Sequence, residues 1–485
     1  MIPRAVAAAA VVTTTVFGVQ CQRTADGAGE AIRSLAVLPF ENSTGEPEMD
    51  YLGDALGESL IQRFAGISGL RVVSRSSSFS YDNRQVTPRQ IGEALDVHAV
   101  VMGRLARRGD EIVVGAELVD TRLDRQLWSE QFTLDPPDVM NVEQGIARAI
   151  GERLHLGLTG AQEERLTQRY TASPEAWHLY HKGRYHLNKR TPPDVLQALR
   201  YFKQAIDLDP RYALAWNGVA ECYAVGNGAY LDFPPSEARP RAKAAALAAI
   251  EIDDTLAEPH TTLADTYLYW EWNWEAAGRE FERAIELSPS SATAHQWHAE
   301  YLWSMGRTED AIAAATRAME LDPLSVIVRM TLAGAYYNAR RNDDSIRLLQ
   351  ETIAMEPEFV PAYWDLGRAY SAAGDGARVV ESWQAVTRLL GFEDAATEIG
   401  AAYESGGIDA VNRYWLEHAP EELAPDSYGR AMIHASLGEV DQAFRLLDQA
   451  YADREGAMVY LKVEPALDPL RADPRFDELL RRMGL

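Results

Sequence analysis

Ala249-Ile-Glu-Ile-Asp-Asp254, Ala284-Ile-Glu-Leu-Ser-Pro289, Ala318-Met-Glu-Leu-Asp-Pro323 and Thr352-Ile-Ala-Met-Glu-Pro357 are four copies of one phrase, and their spacing decides the fold. Counted at the last residue, the steps are 35, 34 and 34 residues. An earlier copy, Ala205-Ile-Asp-Leu-Asp-Pro210, ends 44 residues before position 254, so about ten residues are inserted around Gly226 to Pro235. A constant period of this length marks a stacked repeat, in which each unit buries its apolar face only against its neighbours. The small residue that opens the phrase lets two helices approach. The proline that closes it ends the second helix before the next unit begins.

The period is that of the tetratricopeptide repeat (TPR), two helices per unit. Other positions keep the register: Leu263, Ala264 and Tyr267, then Ala277, Phe281 and Ala284; Leu332, Ala333 and Tyr336; Leu366, Gly367 and Tyr370. A degenerate pair is expected from Phe392 to Ala419, followed by a unit with Ala431, Ala443 and Ala450 at the small positions. The array is read over residues 174–457 as about seven to eight repeats, with residues 458–485 as a cap.

Before the array the pattern mixes strands and helices. Leu35 to Phe40 reads as a buried strand ended by the turn cluster Glu41 to Pro47. Leu52, Leu56, Leu60 and Phe64 keep helical spacing, and Leu70 to Val73 reads as a second strand. Thr87 is placed to cap a short helix with Pro88 at its first position. Three strand-like runs follow, Ala99 to Leu105, Ile112 to Val119 and Gln126 to Phe132, and a helix from about Val139 to Leu156 closes the unit. The expected fold is a small α/β domain with a mixed sheet over residues 31–160, followed by an all-α superhelix, an α-solenoid.

Four segments of this first part, Ser34-Leu-Ala-Val-Leu-Pro-Phe40, Tyr51-Leu-Gly-Asp-Ala-Leu-Gly-Glu-Ser-Leu60, Leu70-Arg-Val-Val-Ser-Arg75 and Gln126-Leu-Trp-Ser-Glu130, resemble the bacterial TolB amino-terminal-like domain. The resemblance implies protein interaction rather than chemistry. It also implies the company of protein kinases, nucleotide cyclases and DNA-binding domains. Tyr269-Trp-Glu-Trp-Asn-Trp274, Tyr460-Leu-Lys462, Asp468-Pro-Leu-Arg471 and Asp473-Pro-Arg-Phe476 resemble the same two-part family.

The formal net charge of −25 argues against nucleic acid as a partner, because phosphate binding needs a basic surface. The two cysteines, Cys21 and Cys222, give no disulfide framework and no cysteine-rich metal site. Arg4 and the apolar run Ala5 to Val19 read as a signal or anchor segment within residues 1–30, of a length short for a spanning helix. Cys21 ends the run and is a candidate for lipid attachment, although Gly18-Val19-Gln20 departs from the usual Leu-Ala-Gly pattern. The expected location is the cell envelope, with membrane contact through this segment alone; the alternative is cytoplasmic.

No phosphate loop, dinucleotide fingerprint, nucleophile elbow or His-Glu-x-x-His motif occurs. The pairs His178/His181 and His295/His298 stand three apart on helices, which supplies too few ligands for a metal, so packing is the expected role. Trp270, Trp272 and Trp274 are expected to pack a turn against a neighbouring repeat. No enzyme activity and no cofactor are implied.

TPR arrays bind along the concave face lined by the first helix of each unit. Aligned repeats put Glu221, Asp265 and Glu300 at one inward position, followed there by Arg368 two repeats on, with Asn217, Gln296, Trp303, Tyr337, Asn338 and Trp364 nearby. The expectation is a groove acidic in its first half and aromatic and amide-rich later, suited to an extended peptide with basic residues. The function expected is a scaffold or adaptor. The alternative is a regulatory module serving a separately encoded Ser/Thr kinase, adenylate cyclase or transcriptional regulator.

Overall fold

A computed structural model describes residues 32–485, apart from 82–85, 110, 135–138, 155, 157, 226–230 and 232. Cys21 and the apolar run Ala5–Val19 lie outside the described residues, as does Asp110 in the first hairpin turn.

The mixed sheet forms as the alternation of short apolar runs predicts. Its strands are β1 (Ser34–Val37), β2 (Glu41–Ser43), β3 (Arg71–Val72), β4 (Ala99–Arg108), β5 (Glu111–Asp120) and β6 (Arg125–Leu134). The order is β3-β1-β4-β5-β6, with β2 paired to β4. β1 is parallel to both neighbours, Leu35 facing Val72 on one side and Ala99 on the other, and is fully buried, as a central parallel strand must be. β4, β5 and β6 form an antiparallel meander. The helices are α1 (Asp50–Ala65), α2 (Arg75–Phe79), α3 (Pro88–Leu95), α4 (Val139–Arg153) and α5 (Gly160–Thr167). α1 and α4 cover one face through Leu56, Leu60, Phe64, Ile146 and Ile150. Thr87 caps α3 in a reciprocal capping box with Gln90. The strand β2 and the helices α2 and α5 are additions to the sequence reading. They are three to eight residues long, too short to show a period.

Among the described residues eight helix pairs follow: α6 (Pro174–Leu187) with α7 (Pro192–Leu208), α8 (Ala213–Ala224) with α9 (Pro235–Ile252), α10 (Ala257–Thr266) with α11 (Trp274–Leu287), α12 (Ala292–Ser304) with α13 (Thr308–Leu321), α14 (Val326–Asn338) with α15 (Asn342–Met355), α16 (Val360–Ala373) with α17 (Gly376–Leu389), the two halves of α18 (Glu393–Glu417), and α19 (Ser427–Ser436) with α20 (Val440–Asp453). α18 breaks at Gly406 and Gly407, and the φ of +66° at Gly407 is one that glycine adopts without strain. A last helix, α21 (Pro474–Met483), ends the chain.

The recurring phrase has one structural job in all five copies. Its first residue, Ala205, Ala249, Ala284, Ala318 or Thr352, is fully buried. Its fifth, Asp209, Asp253, Ser288, Asp322 or Glu356, is the C-cap, and the cap N–H donates to the carbonyl of the first. Close approach is enforced elsewhere too: a Cβ on Gly183 or Gly218 would lie 2.5 or 2.6 Å from the Phe202 ring.

The sheet region does not stand apart from the array; residues 32–485 form one compact unit. The Ser74 N–H donates to Leu321 O at 2.8 Å, the Ser77 hydroxyl to Asp322 Oδ1 at 2.5 Å, and the Ser290 hydroxyl to Leu70 O at 3.0 Å. Two of the phrase ends thus double as the seat of the sheet's β3 edge. The array also curls far enough that its end meets its third pair. Ala264, Leu268, Trp274 and Phe281 share a core with Tyr428, Leu447, Met458, Leu467 and Phe476. The tryptophan-rich turn belongs here. Tyr267–Glu271 is a π-helical turn, Trp272 packs on Tyr451 at 5.2 Å, and Trp274 Nε1 donates to Met483 O. Its packing partner is therefore the far end of the chain rather than the adjacent repeat that the sequence reading named. Among the described residues no helix is long and apolar enough to cross a membrane.

Candidate functional site

The inward position expected from the aligned repeats has Glu221 on α8, Asp265 on α10, Glu300 on α12 and Arg368 on α16. The structure does not make the three carboxyl groups an open acidic stripe. Glu221 accepts from Arg184 on α6 at 2.5 Å, and Asn217 donates to Glu221 at 2.7 Å. Arg184 also grips Glu58 of α1 at 2.7 Å, so the sheet region closes this end of the inner face. Asp265 is paired with Arg239 of α9, and both are buried. The aligned first helices could not reveal these partners, because Arg239 lies on a second helix and Glu58 on the sheet side. Glu258, one turn before Thr262 on α10, was missed; it lines a cavity of about 50 Å³ beside Arg63 and Arg165.

The buried junction at this end is knit by ion pairs and hydrogen bonds, although His181 Nδ1 has no hydrogen-bond partner among the described residues. Glu143 on α4 takes hydrogen bonds from the Ser59 hydroxyl, from Arg63 Nε at 2.7 Å and from Trp177 Nε1 at 3.1 Å. Burial alone would push Glu143 and Glu58 up. The adjacent arginines, Arg63 for one and Arg184 with Arg75 for the other, outweigh it and hold both below the usual carboxylate range. His181 packs on Trp177 with centroids 4.0 Å apart, and burial lowers it to about 4, so it is neutral. His178 bonds the Tyr51 hydroxyl, His295 Nε2 meets Pro289 O, and His298 stacks on Tyr301. Among the described residues no group of three or more His, Cys, Asp or Glu is placed to hold a metal ion.

Glu300 is different. It accepts from the Tyr269 hydroxyl, from Gln296 at 3.4 Å and from Thr331 at 3.4 Å, but no cationic side chain among the described residues pairs with it. Burial pushes it up to about 7, and the hydrogen bonds only partly offset that. It lines a cavity of about 240 Å³ with Trp303, Tyr337, Asn338, Asp365 and Arg368. The segment Gly456–Leu470 forms the remaining wall. Tyr460 bonds Tyr269 and packs on Trp303 at 5.9 Å, and the buried Glu464 takes the Tyr337 hydroxyl at 2.6 Å and Arg368 at 2.6 Å. Trp364 is not part of this cavity; it packs on Trp415 and Trp383 at 5.2 and 6.3 Å beside a second, more apolar hollow. The open groove along all first helices is therefore shortened at both ends by the chain itself. Asp365, Tyr460 and Glu464 were not foreseen. Asp365 adjoins Trp364 in the chain, whereas the other two come from segments with no repeat register to align.

Tetratricopeptide family models match residues 194–233, 273–326 and 302–370, so the helical part is a TPR array. Residues 31–149 match the second domain of HilA/YgeH-like transcriptional regulators, a different description from the TolB domain that the sequence resembles. A curated relative, "Putative adenylate cyclase 3" of Rhizobium meliloti (strain 1021), is 31% identical over 182 residues, 38% of this chain. The chain spans 31% of the length of that relative. Among solved structures, a tetratricopeptide repeat protein from Parabacteroides merdae ATCC 43184 is 13% identical, covering 64% of this chain and 100% of its own at a TM-score of 0.35. A thermophilic TPR protein of Thermus thermophilus is 17% identical over 41% of this chain and 98% of its own, at a TM-score of 0.34.

Proposed function

We propose that this chain is a non-enzymatic interaction scaffold that takes a protein or peptide partner on the inner face of its repeat array. Proteins built on TPR arrays generally mediate protein–protein interactions, and the chain's own matches are to such repeats. One observation carries the reading. Three successive first helices, α12, α14 and α16, keep polar and aromatic side chains around a cavity of about 240 Å³ instead of closing it with apolar packing. Such a concave, mixed surface is what a ligand needs for orientation and specificity. Immobilised full chain should capture a partner that the variant Ile327→Arg loses, since Ile327 is 50% exposed at the cavity rim and tolerates a charge. Equal capture by both proteins would remove the inner face from the proposal.

A second reading, a regulatory module for a separately encoded cyclase, kinase or transcriptional regulator, draws support from two names: the cyclase relative and the regulator domain matched at residues 31–149. Co-purification with one of those classes would favour it over a general adaptor. An envelope location is supported by the Ala5–Val19 run alone, and recovery of the unprocessed chain in the cytosol would end it.

A further inference from the structure

The cavity between α12, α14, α16 and the Gly456–Leu470 segment has an unbalanced lining. Three carboxyl groups, Glu300, Asp365 and Glu464, face one guanidinium, Arg368. Glu464 is satisfied by Arg368, the Tyr337 hydroxyl and the Ala466 N–H. Asp365 shares that arginine at 3.1 Å, and Glu300 has no cation among the described residues. Glu300 is half-buried, and a carboxylate partly withdrawn from water without a counter-charge is costly, so either a proton or a cation belongs there.

A second observation is independent of the acids. Asn338 is only 9% exposed and lines the cavity, and its Nδ2 donates to Gly334 O at 2.9 Å. That bond fixes the amide so that Oδ1 is the free end, and Oδ1 has no donor among the described residues. An orphaned acceptor calls for a donor. The walls are aromatic: Trp303 packs on Tyr460, and Tyr337 already carries the Arg368 guanidinium 4.9 Å above its ring. Electron-rich faces with acceptors between them are the chemistry that holds organic cations. The acceptors come from three helices, Glu300 from α12, Asn338 from α14 and Asp365 from α16, which suits a head with three diverging donors better than a flat guanidinium fork. The smaller cavity beside Glu258 lacks this character, since Arg63 and Arg165 line it.

We propose that this cavity binds an alkylammonium group, the head of a lysine side chain or of a free primary amine, with Glu300 and Asp365 as counter-charges and Trp303, Tyr337 and Tyr460 as walls. The proposal deepens the scaffold reading if the ammonium is a partner's lysine, but the site stands without it.

The test is titration of the full chain with n-butylamine, with Nα-acetyl-lysine N-methylamide and with uncharged 1-butanol, read by calorimetry and by tryptophan fluorescence. Saturable binding of at least one amine, absent for the alcohol, is expected. Glu300→Gln keeps the shape and one of the two acceptor oxygens while removing the charge, and should weaken it by about tenfold or more. Asn338→Ala, which leaves the ion pairs intact, is a second variant expected to weaken it by a smaller factor, with folding checked by circular dichroism. No saturation by either amine, equal binding of the alcohol, or unchanged affinity in both folded variants would overturn the site. Binding of butylamine without the lysine derivative would support the site and reject a partner's lysine as its source. Binding of both with no protein partner ever captured would leave the site standing and sink the scaffold reading alone.

Discussion

Two carboxyl-rich regions lie on the same array, and they are built on opposite terms. At the junction with the sheet region, Glu58, Glu143 and Glu221 each meet an arginine within hydrogen-bonding distance. At the cavity further along the array, Glu300 meets only neutral donors among the described residues. The first arrangement ties two parts of the chain together, with each carboxylate answered by a cation. The second leaves charge and hydrogen-bonding capacity unspent. Acidic residues at equivalent repeat positions therefore have different meanings, and the difference lies in what the rest of the chain brings to them.

The largest effect is expected at the junction. Glu143→Ala strands the buried Arg63 guanidinium and should cost about 3–5 kcal/mol in urea unfolding at neutral pH. A loss below about 1 kcal/mol would mean that the junction is not held by its ion pairs, and the contrast with the cavity would collapse. Glu300→Gln should act in the opposite direction. The folded pKa of Glu300 lies above its ordinary value, at about 7, so its stabilising contribution is complete below the unfolded pKa and is lost as pH rises through 7. Above that pH the native protein carries a half-buried carboxylate without a counter-charge among the described residues, which glutamine does not. The variant should be more stable by roughly 1–3 kcal/mol at pH 8, with the gain fading toward pH 5. A cost of the substitution that instead grows from pH 5 to pH 8 would show that Glu300 has a cationic partner after all.

His181 sharpens the junction side. Burial depresses it to about 4, so its contribution is present above its unfolded value and lost as pH falls through 4. His181→Gln should therefore flatten the acid limb of the stability profile between about pH 6.5 and 4, by an amount smaller than the loss in Glu143→Ala. An unchanged acid limb would place the proton uptake elsewhere. The smallest effect supplies the scale. Arg279 and Glu275 form an i,i+4 pair that is well exposed, and Arg279→Ala should shift unfolding by less than about 0.5 kcal/mol. Any larger cost would mean that pairing alone, rather than burial, separates the two regions.

The repeat was legible because its cause is local. Ala284 and Ala318 are small where two helices touch, and the cap N–H of Ser288 or Asp322 closes the helix on the alanine carbonyl in every copy. The mixed sheet was legible for a similar reason, since β1 and β4 are apolar runs bounded by turn residues. The candidate site was legible only in its inner-helix half. Asn338, Trp303 and Glu300 could be aligned across repeats, whereas Arg239, Glu58, Tyr460 and Glu464 reach the same face from outside the register.

A stacked two-helix repeat behind a small mixed sheet follows from the residues alone, because period, capping and close approach are written within each 34-residue unit. Which of three equivalent carboxyl groups lacks a cation among the described residues is set instead by contacts far apart in the chain. That outcome depends on curvature, which brings α1 against α6 at one end and Gly456–Leu470 against α12, α14 and α16 at the other. Partners so far apart in the chain leave no spacing to read; they meet only when the array has closed on itself.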